Sequence, residues 1–195
     1  MPRMQRSGVI LCLVSAVLLM FAAQVDAIVY VAADFQTLVS EARTIVLGRI
    51  ASLEPEWTEG RHSIETLLSI DVEGTLKGSA GDSIVVRVPG GQMGPYLSVM
   101  PGAPRFTEGE EVVLFLAGAP PEVPHILALS QGVFRVVRDQ STGARIVVPE
   151  LLRASAGGAV QVIRGDLTRK PTPLGRFILD VRGIAAPPMR DKGVR

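Results

Sequence analysis

The apolar positions of this chain change period several times, and each change marks an element. Phe35, Leu38, Val39 and Ala42 recur at i, i+3, i+4 and i+7, one face of a helix, with Asp34 placed to cap it. That helix is expected to end near Arg43. Thr44 to Leu53 then turns to β-branched and aliphatic residues, a strand in which Gly48 marks a bulge or a close approach. His62 to Val72 alternates: His62, Ile64, Thr66, Leu68, Ile70 and Val72 fall on one face, and Ser63, Glu65, Ser69 and Asp71 on the other, with Leu67 out of pattern. The pattern predicts a long strand with one face in a core.

Gly78 to Asp82 reads as a turn into a strand over Ser83 to Val88, because glycine, serine and aspartate favour turn geometry. Glu111 to Leu116 is apolar without alternation after its first residue, the mark of a strand buried on both faces. Ile126 to Arg138 and Arg145 to Val148 form an expected hairpin that turns at Asp139 to Gly143. Near the end, Leu174, Phe177, Ile178 and Val181 recover helical spacing, with Thr172 as cap and Pro173 at the first helical position. The last residues, from Ala186, carry no pattern and read as a frayed end.

About six short strands with a short helix at each end predict a mainly β domain, a small antiparallel OB-like barrel or sandwich. Ile64, Leu68, Ile70, Val86, Leu114, Leu116 and Phe134 are its expected core. The expected organisation is a signal peptide over 1–27, a single β-rich domain over 28–184 and a disordered tail over 185–195.

The N-terminus changes the picture by adding an address. Arg3 and Arg6 precede an apolar run from Gly8 to Ala23, and Val25-Asp26-Ala27 offers small residues where a signal peptidase reads. That order predicts export and cleavage before Ile28, to the periplasm or the extracellular space. A retained N-terminal anchor is the alternative. Removing Arg3, Arg6 and Asp26 leaves equal numbers of acidic and basic residues. No basic excess then attracts nucleic acid or anionic lipid, and no stable membrane insertion is expected once the signal is gone. The single cysteine, Cys12, lies in the signal, so the mature chain has neither disulfide nor thiol chemistry.

Candidate chemistry is sparse. Ala128-Leu129-Ser130-Gln131-Gly132 echoes the G-x-S-x-G nucleophile elbow, which requires a strand, a sharp turn and a helix. Here Val133 to Val137 continue as strand residues, so Ser130 is expected within a strand and Gly132 as a bulge. His62 is expected to open a strand and His125 to sit in a loop after Pro124. The two lack metal-ligand spacing. Glu108, Glu110 and Glu111 surround Gly109 as a solvated turn, without the ordered oxygen ligands of a calcium loop. Trp57 lies among Glu54, Pro55, Glu56 and Glu59 and is read as closing a barrel end, with a sugar platform as the alternative. No metal, cofactor or catalytic set is expected.

The stretch from Pro89 to Arg105 differs from all of this. Four prolines and four glycines fall within 17 residues, interleaved with Met93, Tyr96, Leu97, Val99 and Met100. Long loops in compact domains are often functional. Gly90, Gly91, Met93, Tyr96, Leu97, Met100 and Arg105 are the candidate binding residues. The alternative is that Tyr96 to Met100 tuck under the barrel as a lid or short strand.

Read together, the pieces resemble an uncharacterised family of exported bacterial proteins. They comprise Leu38-Val39-x-x-Ala42-x-x-Ile45-Val46-x-Gly48-x-Ile50, Trp57, Gly74-x-Leu76-Lys77-Gly78 and Pro89-Gly90-Gly91-x-x-Gly94. Pro101-Gly102-x-Pro104-x-Phe106-x-x-Gly109-Glu110, Leu114-Phe115-Leu116, Gln131-Gly132-x-Phe134 and Phe177-Ile178-x-x-Val181-Arg182 complete the set. This resemblance brings no established activity. Ile45 to Ile50 and the strand order are also similar to the netrin-like module of tissue inhibitors of metalloproteinases, which implies an OB-type barrel packed with helices. Those inhibitors approach the protease zinc with an N-terminal cysteine, which a chain starting at Ile28 lacks. The expected function is therefore an exported, non-catalytic domain that binds a protein or envelope component through residues 89–105. A secreted hydrolase and a structural accessory of the cell envelope are the alternatives.

Overall fold

A computed structural model describes residues 33–150 and 170–186. The expected signal segment with Cys12, and the tail beyond Ala186, lie outside the described residues. Helix α1 (Phe35–Glu41) starts as its pattern predicts, with the Asp34 carboxylate accepting from the Thr37 N–H. Strand β1 (Thr44–Trp57) runs antiparallel to β2 (Ile64–Lys77), and β2 to β3 (Ser83–Pro89). Two short strands, β4 (Gly91–Met93) and β5 (Tyr96–Ser98), make a separate hairpin. β6 (Glu111–Ala117) then returns to pair with β1, while β7 (His125–Ile126) bridges β6 and β3. The ring β1-β2-β3-β7-β6-β1 is a closed five-stranded barrel.

Beyond the ring, β8 (Val133–Arg138), β9 (Arg145–Pro149) and β10 (Thr172–Pro173) extend the sheet from β6. Helix α2 (Leu174–Ala185) follows. The mainly β barrel with a helix at each end is as expected, although the described strands outnumber the predicted six.

The unbroken apolar run of β6 follows from this two-layer arrangement. Val112, Leu114 and Leu116 point into the barrel with Val46, Ile50, Leu68, Ile70 and Val86. Val113 and Phe115 point outward, beneath α1 and α2, with Ile45, Leu47, Phe134, Phe177 and Val181. Phe35, Phe115, Phe134 and Phe177 all contact one another, with ring centroids 5.0 to 6.5 Å apart. The separations suit edge-to-face and tilted aromatic packing. Phe134 therefore belongs to the outer layer rather than the barrel interior, where the sequence pattern placed it. The other expected core residues are buried.

Gly48 has the predicted role. The β1–β2 register shifts there, and a Cβ would lie 2.5 Å from the Asp71 carbonyl oxygen. Two other expectations change. Thr172 does not cap α2: its hydroxyl donates to the Lys170 carbonyl, and the N-cap is Pro173, with no side-chain bond. The strand expected over Ile126 to Arg138 is broken. β7 ends at Ile126, and a 3₁₀ turn (Leu129–Gly132) precedes β8.

Candidate functional site

The sequence from Pro89 to Arg105 folds as a short hairpin followed by an irregular return, laid along one end of the barrel. Gly94 has φ 56° and is followed by Pro95, the glycine-first pattern of a tight two-residue hairpin turn. Gly90 has φ 96°, in the left-handed region that favours glycine. Its N–H donates to the Ile64 carbonyl, and its own carbonyl accepts from the Thr66 hydroxyl. At Gly91 a Cβ would stand 2.7 Å from Thr66 Oγ1. The two glycines thus let the hairpin lie close against β2.

The return limb is tied down as well. The Ser130 N–H donates to the Gly102 carbonyl, and Pro104 is buried. Arg135 donates to the Arg105 carbonyl, to Glu110 and to Glu150, and sits 5.6 Å from the Phe106 ring centroid. Burial works against the Arg135 charge, but the bonds and charges of Glu150 and Glu110 outweigh it and raise the guanidinium pKa above its ordinary value.

Between these ties the loop presents its apolar side chains outward. Tyr96, Leu97, Val99 and Met100 are 61, 67, 61 and 47% exposed. Met93 is half-buried and Arg105 exposed. Only part of the lid alternative holds: residues 96–98 do form a strand, but they are not buried. Tyr96 meets Trp57 edge-on at 5.4 Å between centroids, so Trp57 supports the loop rather than standing alone as a platform. Beneath the loop lies a cleft of about 830 Å³ whose walls include Leu53, Leu68, Val88, Phe106 and Ser130. Sequence reasoning missed these walls, since Leu68 read as core and Leu53 and Val88 only as the ends of strands. It also missed Arg135, a β8 residue with no motif around it.

Neither histidine is hydrogen-bonded to the Ser130 hydroxyl. His62 is exposed in the turn before β2 rather than opening that strand. His125 lies in β7, not in a loop, and borders a smaller pocket of about 230 Å³ with Glu65, Arg87 and Leu129. Ser130 borders the larger cleft, and Val88, Pro89 and Pro104 line both. Ser130 occupies the 3₁₀ turn and not a strand, after Ala128 and Leu129 at φ 52° and 54°. Its Oγ is buried and has no hydrogen-bond partner among the described residues. Gly132 closes that turn rather than forming a bulge, and a Cβ there would collide with the Leu127 carbonyl.

Two of the three acidic residues around Gly109 are paired with cations, and Glu108 is exposed. Glu110 binds Arg135, and Glu111 binds Arg145 at 2.7 Å. Glu65 binds Arg87 at 2.9 Å and faces Glu56 across β1 and β2. Burial raises the Glu65 pKa, Arg87 opposes it, and the Glu56 carboxylate adds to the rise.

Comparison with known proteins adds no family: no family model matches the chain, and no curated protein matches it. No helix among the described residues is long and apolar enough to cross a membrane.

Proposed function

We propose that this is an exported, non-catalytic binding module, acting in the periplasm or outside the cell, that engages a protein or envelope component through residues 89–105. The observation that carries the reading is the contrast within that loop. Gly90, Gly102 and Arg105 are hydrogen-bonded to the barrel, while Tyr96, Leu97, Val99 and Met100 remain exposed. Grouped exposed apolar side chains mark interaction sites, and a tethered loop loses little conformational entropy when it binds. A photo-crosslinking residue at position 97, in the native exporting cell, should capture an envelope protein or lipid. The same residue at position 179, exposed on α2, should not. Equal labelling from both positions would end the reading.

A secreted hydrolase is the second reading, favoured by Ser130 in a tight turn with an unpartnered hydroxyl. A nucleophile needs a base within hydrogen-bond reach, and no described side chain bonds the Ser130 hydroxyl. Hydrolytic turnover that disappears in Ser130→Ala would establish this alternative.

A further inference from the structure

We infer that the envelope component met by this loop is a lipid surface: the tip inserts its apolar side chains into the interface of a zwitterionic bilayer. The inference rests on the reading above and selects one partner class within it. Three observations lead to it.

First, Pro89 to Pro104 is a run of 16 residues without a charge, and its exposed members are Tyr96, Leu97, Val99 and Met100. Insertion at a bilayer interface penalises charge and scales with the apolar area buried. Second, the patch is edged by an aromatic pair, Trp57 against Tyr96. Tryptophan and tyrosine are the side chains that settle at the headgroup level, since their rings have an apolar body and one polar atom. Third, the patch is small. A stable protein interface engages roughly 20–30 residues a side, whereas this hairpin and its return offer four large exposed apolar side chains. Shallow insertion of a loop tip needs no larger area.

The surrounding charges decide the lipid. Glu54, Glu56 and Glu59 stand beside Trp57, and Glu65 is paired with Arg87 on the neighbouring strands. Arg61, in the turn before β2, and Arg105, at the end of the loop, are exposed cations on the same stretch of chain. This mixture provides no basic patch of the kind that holds proteins to anionic lipid. The attraction is therefore apolar, and it should be insensitive to salt.

The chain carries its own reporter, because Trp57 is its single tryptophan and lies against the loop. The mature full chain is mixed with vesicles of phosphatidylcholine alone, and with vesicles of phosphatidylcholine and phosphatidylglycerol. Trp57 emission and co-sedimentation are both read. The expected result is a blue shift and co-sedimentation with phosphatidylcholine, little changed by phosphatidylglycerol or by salt. Leu97→Ser should weaken the association about tenfold or more, the factor carried by burial of one leucine side chain. Leu179→Ser on α2 should leave it unchanged. Two results would overturn the inference: no association with phosphatidylcholine by either measurement, or association only with the anionic vesicles at low salt. In the first case, a protein crosslinked through position 97 would still support the broader binding reading and identify the patch as a protein site.

Discussion

Two leucines separate the barrel from the loop, and replacing each by alanine tests both assignments. Leu114 is fully buried in β6, paired with Val46 of β1 and Val133 of β8, and packed into the barrel interior. Flanked by β1 and β8 and packed into the interior of the closed ring, the site has little freedom to collapse, so Leu114→Ala loses transfer free energy and leaves a cavity. The expected cost is about 2–5 kcal/mol. For a domain of this size each kcal/mol lowers the melting temperature by about 2–4 °C. Leu97 is 67% exposed, so only about a third of its side chain is withdrawn from water. Complete burial of leucine is worth about 1.5–3 kcal/mol, which sets the cost of Leu97→Ala at about 0.5–1 kcal/mol. Urea melts of the two variants, compared at constant slope, measure the difference. A cost below about 1 kcal/mol for Leu114→Ala would mean that β6 does not cross the core. A cost above about 2 kcal/mol for Leu97→Ala would make the loop part of the core, and the binding surface would be lost with it.

Four further substitutions test local physics. The raised Glu65 pKa means that the folded chain holds this proton to higher pH than the unfolded chain does. Its contribution is thus fully present below about pH 4.5, its unfolded value, and is lost as pH rises through the folded pKa. Glu65→Gln should flatten that part of the stability profile in denaturant melts, and an unchanged slope would refute the assignment. Ser130→Ala removes a buried hydroxyl without a partner, so it should be neutral or stabilising by about 1 kcal/mol. A clear loss in thermal melting would mean that the hydroxyl is bonded. Gly132→Ala should cost about 1–3 kcal/mol, because its Cβ meets the backbone carbonyl of Leu127. Gly74→Ala, with nothing within 4 Å of its Cβ, should cost much less. Equal effects in chemical denaturation would refute the close approach.

Elements governed by local periodicity were legible in the sequence. The alternation in β2, the helical spacing after Asp34 and the Asp139–Gly143 turn each record an environment that repeats along the chain. In that turn the Asp139 carboxylate accepts from Ser141 and Thr142, with the Ser141 hydroxyl first among the bonds that hold its pKa down to about 2. The doubly buried β6 was legible for the same reason. What escaped was set by distant contacts. Residues 126–138 are strand-competent throughout, and Ala128 and Leu129 give no sign of left-handed backbone, which is usually left to glycine or asparagine. The chain breaks there at a 3₁₀ turn entered through left-handed backbone at Ala128 and Leu129, and Gly132 fits closely against the Leu127 carbonyl. Phe134 was misplaced because alternation separates two faces without saying which one the helices cover. Gly94-Pro95 was the available signal for the hairpin, but it was hidden among neighbouring prolines and glycines.

The way the loop is attached has a consequence for how function and stability are divided. Its first limb is bonded to β2 at Gly90, and its return limb to the 3₁₀ turn at Gly102 and to Arg135 at Arg105. Each bond uses a backbone group of the loop, and none uses the side chains of Tyr96, Leu97, Val99 or Met100. The backbone course is therefore set by Thr66, Ser130 and Arg135, which lie outside the hairpin. Substitutions at Leu97, Val99 and Met100 change what the loop presents but not how its backbone is bonded, whereas Tyr96 also leans on Trp57. Arg135 has the opposite character. It braces the loop, and it also balances Glu110 and Glu150, so its removal leaves two partly buried carboxylates without their cation. Such a loss costs more than the pair contributes when intact. The exposed side chains of Leu97, Val99 and Met100 can thus vary at little cost to the fold, whereas the residues that hold the loop in place are constrained by the stability of the barrel.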